Sequence, residues 1–281
     1  MQEIEMGIDW EQLWIERFEE SRQTMRDGKD IDSEYWSKRA ASYSDGQTTN
    51  DFEYGRAVVQ ALHEVMPPES EVLDIGAGPG TLLIPCAEKA NHVTAVEPAT
   101  GMIDCLKRNA EQRGITNFET INSTWQDLEI SLIGGRFDLT ICSHAMWFFK
   151  DLWEQLRRME TVSRRYCCFV NGVTPYGDFD LLWKKVMGET WKRPFGTDQN
   201  ILYNILYEGG RYANVKMVSY TSTTPVESWI TSREMLFDRY TEVTPEIKAQ
   251  IREHISLRAE DGMYTIDSQA AVMWWEIPDE E

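Results

Sequence analysis

The stretch EVLDIGAGPGTLLIP, residues 71–85, constrains the fold more than any other part of the chain. A short apolar run passes through Asp74, and then Gly76, Gly78 and Gly80 occupy every second position. A run of this length that ends in glycines and leads into helix-forming residues (Thr81 to Ala90) reads as strand, tight turn, helix. The unit then repeats. HVTAVE is a second strand, followed by a helix from Ala99 to Arg113 that Gly114 stops. NFETIN is a third strand and RFDLTICS a fourth, with a helix from Asp151 to about Glu160, and RRYCCFVNGV is a fifth strand. Strands alternating with helices predict a parallel sheet covered on both faces.

The flanks read differently. Trp10, Leu13, Trp14, Phe18 and Met25 recur at helical spacing, and Gly28 follows as a stop. SEYWSKRAASY forms a second helix, and Asp51 to Met66 a third, ended by Pro67 and Pro68. These helices have no strands between them, so residues 1–66 are expected to form a helical cap. Residues 67–281 then make up the α/β domain. In its last third, two helical stretches lie between Gly177 and Tyr207, and NVKMVSYTS is a sixth strand. Helices at Val226–Phe237 and Pro245–Ile255 make a helical insertion over about 225–260, ahead of a final strand AAVMWWEI. Trp274 and Trp275 in that strand are expected at the sheet edge with one face buried.

Charge narrows the partners. The 281 residues carry a formal net charge of −19. Such a field repels phosphate backbones and anionic lipid surfaces, so neither nucleic acid nor a membrane is an expected partner. The acidic start, MQEIEMGIDWEQ, has no apolar signal segment, so the chain is expected in the cytoplasm. Five cysteines (Cys86, Cys105, Cys142, Cys167, Cys168) form no metal-ligand spacing and read as buried reduced thiols. Adjacent Cys167 and Cys168 should face opposite sides of a strand.

In open parallel sheets, ligands bind beyond the carboxyl ends of the strands, where the glycine loop lies. Its spacing is G-x-G-x-G rather than the G-x-G-x-x-G of dinucleotide sites, and Pro79 lacks an N–H. This disfavours a nicotinamide-dependent oxidoreductase. A tight turn that packs helix on strand would also use such glycines. Glu97 ends the second strand, 23 positions after Asp74, where an acid can accept from ribose hydroxyls; a solvated strand end is the alternative.

VLDIGAGPGTLLIP, VTAVEPATGMIDCLKRNA and FDLTICSHAMWFF together resemble the successive motifs of class I S-adenosylmethionine-dependent methyltransferases, over about residues 71–173. The resemblance implies a Rossmann-like, mostly parallel seven-stranded sheet. It also implies S-adenosyl-L-methionine as cofactor, with S-adenosyl-L-homocysteine as product. By that likeness Gly76, Ala77, Gly78 and Gly80 pass their backbone under the methionine part, and Asp74 orients the loop or the amino group. Glu97 takes the ribose, while Pro98 and Met102 pack on the adenosine. The family often has an acid after the third strand for the adenine amino group. Here NSTWQDL departs from that pattern, and Thr124, Trp125 and Gln126 fall at the adenine position. Ser143, a further expected cofactor-binding residue, ends the fourth strand and His144 follows it, where donor and acceptor should meet. His144 has the kind of pKa a general base needs, and lining the pocket is its alternative role.

The segment with YWSKRAASY is similar to the lead segment of small-molecule members. Trp36 and Tyr43 in it are expected to close over the site as a lid, with Trp147, Phe148, Phe149, Trp183 and Trp191 shaping an acceptor pocket; ordinary helix-to-sheet packing would use the same aromatics. The implied function is methyl transfer to a small-molecule acceptor. A non-catalytic S-adenosylmethionine-binding protein or sensor on the same fold remains the alternative.

Overall fold

The computed structural model describes residues 7–26, 31–173, 177–190 and 199–278. Apolar runs that begin and end at turn residues become the first strands: β1 (Glu71–Ile75), β2 (His92–Val96), β3 (Phe118–Ile121), β4 (Phe137–Ser143) and β5 (Ser163–Gly172). All pair in parallel. Two longer strands, β6 (Asn214–Pro225) and β7 (Met263–Glu276), complete a seven-stranded sheet of order β3-β2-β1-β4-β5-β7-β6. β7 runs antiparallel to both β5 and β6. It is therefore an inner strand, and the sheet edges are β3 and β6. The expected edge position of Trp274 and Trp275 is corrected accordingly: Trp275 is buried in one core cluster, and Trp274 packs on the other.

The helices are α1 (Trp10–Gln23), α2 (Ser33–Thr49), α3 (Glu53–Ala61), α4 (Leu83–Ala87), α5 (Thr100–Gln112) and α6 (Leu152–Val162). They continue as α7 (Gly177–Met187), α8 (Gln199–Glu208), α9 (Val226–Phe237) and α10 (Pro245–Ser256). One core cluster on the sheet is built with α3, α4 and α5, and the other with α6 and α8. Cys168 belongs to the first and Cys167 to the second, as strand alternation requires. All five cysteines are free and buried.

The three N-terminal helices go to different places. α1 has one buried residue, Trp14, whose indole N–H donates to the Phe149 carbonyl at 2.7 Å beside α6. α2 lies on α5 through a close backbone approach: a Cβ on Gly101 would stand 2.7 Å from the Ser37 carbonyl oxygen. α3 enters the sheet core itself. α9 and α10 form a third cluster with α7 around Trp183, Phe237 and Ile251. The Gly28 stop and Trp191 lie outside the described residues. Among the described residues no helix is long and apolar enough to cross a membrane.

Candidate cofactor and acceptor site

β1 ends at Ile75, and the chain turns immediately. Gly76, Gly78 and Gly80 all have positive φ (74°, 56° and 93°), a region that side-chain-bearing residues rarely adopt. Gly76 N–H donates to the Val96 carbonyl at 2.8 Å, so the loop is tied to β2. A Cβ on Gly76 would stand 2.7 Å from Ala145 Cβ, whereas one on Gly78 would meet nothing within 4 Å. Gly76 is thus needed for packing, while Gly78 leaves open space above the loop. Asn109 of α5, buried, donates to the Pro79 carbonyl at 2.9 Å and to Ser44 Oγ of α2 at 3.0 Å. This one amide joins loop, α5 and α2.

Glu97 is 5% exposed. Its Oε2 accepts from Gly78 N–H and its Oε1 from Ala99 N–H, both at 2.9 Å. Burial raises its pKa, and the two N–H groups oppose that rise. A carboxylate has about four acceptor sites, so two remain for hydroxyl donors. Asp74 is 1% exposed, and its Oδ2 has no hydrogen-bond partner. Burial first, and then the Glu97 charge, push its carboxyl up to about 7, against the Leu83 N–H. A buried carboxylate oxygen without a donor, beneath an open glycine loop, fits a ligand with cationic or N–H groups.

The other predicted cofactor residues divide. Pro98 follows Glu97, and its carbonyl accepts from Asn122 at 2.9 Å. Thr124 forms a local turn in which its hydroxyl meets Asp127 Oδ2 at 2.6 Å and accepts from Asp127 N–H at 3.1 Å. Gln126 is exposed and donates to the Phe148 carbonyl at 3.3 Å. Trp125 is 3% exposed in the core beside α6, with the Arg158 guanidinium 5.3 Å from its ring. Met102 is 2% exposed in a cluster with Ala40, Ala99 and Cys105, against which Trp36 and Tyr43 pack.

Past β4, His144 takes φ of 52° and its N–H donates to the Val170 carbonyl. Its own carbonyl accepts from Trp147 Nε1 at 2.5 Å. The ring borders a cavity yet is packed round by protein, and this desolvation lowers its pKa to about 4. The imidazole is therefore neutral at physiological pH and a weak base. Tyr54 of α3 lies over this corner, with its hydroxyl 2.8 Å from Ser143 Oγ and its ring 5.5 Å from His144 and 4.8 Å from Tyr220. Trp36 sits 5.9 Å from Tyr43, its companion in the expected lid, and 6.4 Å from Trp147 of the expected acceptor pocket.

The cavity beside His144 has a volume of about 260 Å3. Tyr43, Tyr54, His144 and Tyr220 line one part, and Arg39, Trp229, Ser232 and Arg233 another. None of Asp74, Gly76, Gly78, Gly80 and Glu97 lines it. Sequence patterning missed Tyr54, Tyr220 and the arginines, because their periodicity reads only as helix or strand faces. Trp183, expected in an acceptor pocket, instead packs 4.4 Å from Phe237 in the third cluster. Among the described residues no cluster of His, Cys, Asp or Glu could hold a metal ion.

A glycine loop after β1, an acid after β2 and a sheet of this order make a Rossmann-like α/β domain. Residues 72–165 match the family model described as a methyltransferase domain. Over this third of the chain the sequence is similar to methyltransferase domains, and the whole sheet has the Rossmann-like methyltransferase fold. The chain is 30% identical over 136 residues to aklanonic acid methyltransferase DauC of Streptomyces sp. strain C5, a match covering 45% of this chain and 60% of that protein. Over 92 residues it is 30% identical to an uncharacterized protein of Haemophilus influenzae, covering 33% of this chain and 34% of the other. The chain thus matches less than two thirds of the length of these curated relatives. The YcgJ protein of Bacillus subtilis shares the fold, with a TM-score of 0.52 at 14% identity, over 80% of this chain and 99% of that one. So does a candidate methyltransferase of Bacillus halodurans C-125, with a TM-score of 0.52 at 18% identity, over 79% and 99%.

Proposed function

We propose that this chain transfers a methyl group from S-adenosylmethionine to a small molecule. One observation carries the reading: an open glycine cradle above the unpartnered Asp74 Oδ2 lies beside a separate cavity. Two compartments suit a two-substrate transfer. Bound at the cradle, S-adenosylmethionine supplies a methyl group activated by a positively charged sulfur. Gly76, Ala77, Gly78 and Gly80 give it a bare backbone, Glu97 holds the ribose, and Asp74 faces the amino group. Pro98, at the end of β2, flanks the adenosine, and Ser143 stands next to the methionine part. Met102 supports that face from below, through the cluster in which it is buried. Thr124 and Gln126 border the adenine; Trp125 stiffens that turn from the core side.

His144, neutral because of its depressed pKa, lines the acceptor and bonds to it rather than taking a proton as a strong base. Tyr43, Trp36 and Trp147 exclude water from the meeting point, which strengthens every polar interaction there. A cavity of about 260 Å3 lies near the lower bound of small-molecule sites, about 300 Å3, and is too small for a folded macromolecule. The net charge of −19 opposes nucleic acid. The name of the Streptomyces relative gives aklanonic acid, a small molecule, as what that protein methylates. Five buried free thiols are consistent with a cytoplasmic protein.

The test is binding followed by turnover. S-adenosylhomocysteine should raise the melting temperature, since a ligand selective for the folded state shifts unfolding. Isotopically labelled methyl from S-adenosylmethionine should then appear in members of a small-molecule panel. Binding without any turnover across acids, phenols, amines and thiols would favour the non-catalytic alternative. No binding would sink both.

A further inference from the structure

The end of the cavity away from His144 is cationic in a strongly acidic chain. Arg39 of α2 is 7% exposed. Its Nη1 donates to the Tyr35 hydroxyl at 2.8 Å and its Nη2 to Ser232 Oγ at 2.6 Å, both neutral groups, and its Nε has no partner. Arg233 of α9 donates to the same Ser232 Oγ at 3.4 Å and lies 3.9 Å from the centre of the Trp229 ring. Behind them Arg239 is 5% exposed; its Nη2 meets Met25 Sδ at 2.9 Å, and it shares the Tyr35 ring with Arg39, at 5.4 and 5.5 Å. The carboxylate lining the cavity, Glu53, accepts from Thr221 N–H at 3.3 Å and pairs with none of these arginines.

A buried guanidinium without a carboxylate is costly, and placing a second one nearby adds repulsion. Among the described residues no carboxylate forms an ion pair with Arg39 or Arg239. An anion that enters the cavity would complete the arrangement, and a planar carboxylate matches the guanidinium fork. The rings of Tyr54 and Tyr220 give the cavity aromatic walls that suit a flat molecule.

We propose that the acceptor is an aromatic carboxylate, its anionic group held at Arg39 and Arg233 and its methyl-accepting end at Tyr54, Tyr220 and His144. This rests on the methyltransferase reading, and it fixes the direction in which the acceptor lies. The cofactor's own carboxylate is the other source of the same chemistry. The cavity favours the acceptor, because no residue of the glycine cradle lines it.

The probe is benzoate, with benzamide as its uncharged counterpart, titrated calorimetrically into the full chain in chloride-free buffer with S-adenosylhomocysteine present. Benzoate should bind at least tenfold more tightly than benzamide. Arg39→Gln should weaken benzoate at least tenfold and leave S-adenosylhomocysteine and 5′-methylthioadenosine, which lacks the amino acid, unchanged. Arg233→Gln, on a partly exposed residue, is the second variant should Arg39→Gln fail to fold, and should also weaken benzoate. Equal binding of benzoate and benzamide overturns the proposal. So does an Arg39→Gln variant that loses affinity for S-adenosylhomocysteine but not for 5′-methylthioadenosine, since the guanidinium would then belong to the cofactor. If the wild type binds benzoate but not S-adenosylhomocysteine, the anion site stands and the methyltransferase reading fails.

Discussion

Glu97 and Gly78 are joined by a 2.9 Å hydrogen bond from the loop amide to Oε2. The acid after β2 therefore shapes the loop after β1, and the two halves of the cradle are one unit. Glu97→Ala should lower affinity for S-adenosylhomocysteine by roughly one to two powers of ten, since a charged acceptor is lost. It should also lower stability by about 1–3 kcal/mol, because the Gly78 and Ala99 N–H groups lose their partners. Calorimetry and denaturant unfolding measure the two effects. Unchanged affinity in a folded variant would remove Glu97 from the ribose role.

Asp74 makes binding depend on pH. Its folded pKa is raised from 3.8 to about 7. Between those values the folded state holds a proton that the unfolded state has released, so stability falls as pH rises through that window and stays lowered above it. Asp74→Asn should therefore unfold at a higher temperature than wild type at pH 8 and at the same temperature near pH 4. A cationic ligand over the loop favours the ionised form, so S-adenosylmethionine binding near pH 6.5 should release protons from the coupled Asp74 and Glu97 pair. Titrations in buffers of different ionisation enthalpy should give different apparent heats, and identical heats would argue against this coupling.

His144 carries the opposite sign. Its folded pKa is lowered from 6.5 to about 4. The unfolded state binds the extra proton between those values, so the stability His144 contributes at neutral pH is lost as pH falls through that window. His144→Asn keeps a residue tolerant of positive φ, and should flatten the acid side of the stability profile between about pH 6.5 and 4. At saturating S-adenosylmethionine, where the Asp74 titration no longer limits binding, the wild-type activity profile should show no inflection near 6.5 that His144→Asn removes. An inflection there that disappears in His144→Asn would mean that the imidazole titrates normally and serves as a base.

Elements with one strong period were legible before the structure. EVLDI became β1 with the boundaries its composition suggests, and Val226–Phe237 became α9. Polar segments were not. α2 continues to Thr49 through SDGQTT, because Thr48 Oγ1 bonds back to the Ser44 carbonyl and Asn50 closes the end on Gly46. β7 begins at Met263 rather than Ala270, since its polar first half is held by the register with β6, which local pattern cannot reveal. The cradle was readable because its glycines and acid sit at fixed offsets in the chain. The cavity was not: Arg39 and Ser232 meet across 193 positions, and Tyr54 and Ser143 across 89.

Gly55 couples α3 to the cradle without lining it. A Cβ there would overlap the Thr81 carbonyl and stand 2.9 Å from Pro85 Cγ, immediately after the glycine loop. The Thr81 contact is with backbone, so relief requires α3 or the loop to move. Gly55→Ala should cost about 1–3 kcal/mol of stability, as overpacking does. If α3 shifts, the Tyr54 hydroxyl leaves Ser143; if the loop shifts, the Gly78 amide leaves Glu97. Either movement should weaken S-adenosylhomocysteine several-fold, even though no side chain that could touch it has changed. Normal affinity together with the expected loss of stability would show that the strain relaxes away from the site, through the end of α3 at Leu62.

Closure over the cofactor is the remaining question, and α2 is the element to watch. Its Trp36 and Tyr43 lean on Met102 and on each other, and Trp36 reaches Trp147 beside His144. α2 lies on α5 through a backbone approach at Gly101, the buried Asn109 amide and the packing of Ala40 on Ala99, Met102 and Cys105. A lid must open locally to admit its ligand and close over it. Trp36 Nε1 is buried without a hydrogen-bond partner, so the present arrangement leaves a donor to be satisfied. Hydrogen exchange should therefore slow in residues 35–43, as well as in residues 76–80, when S-adenosylhomocysteine is added. Protection confined to the loop would mean that α2 is a fixed layer whose aromatics serve packing alone.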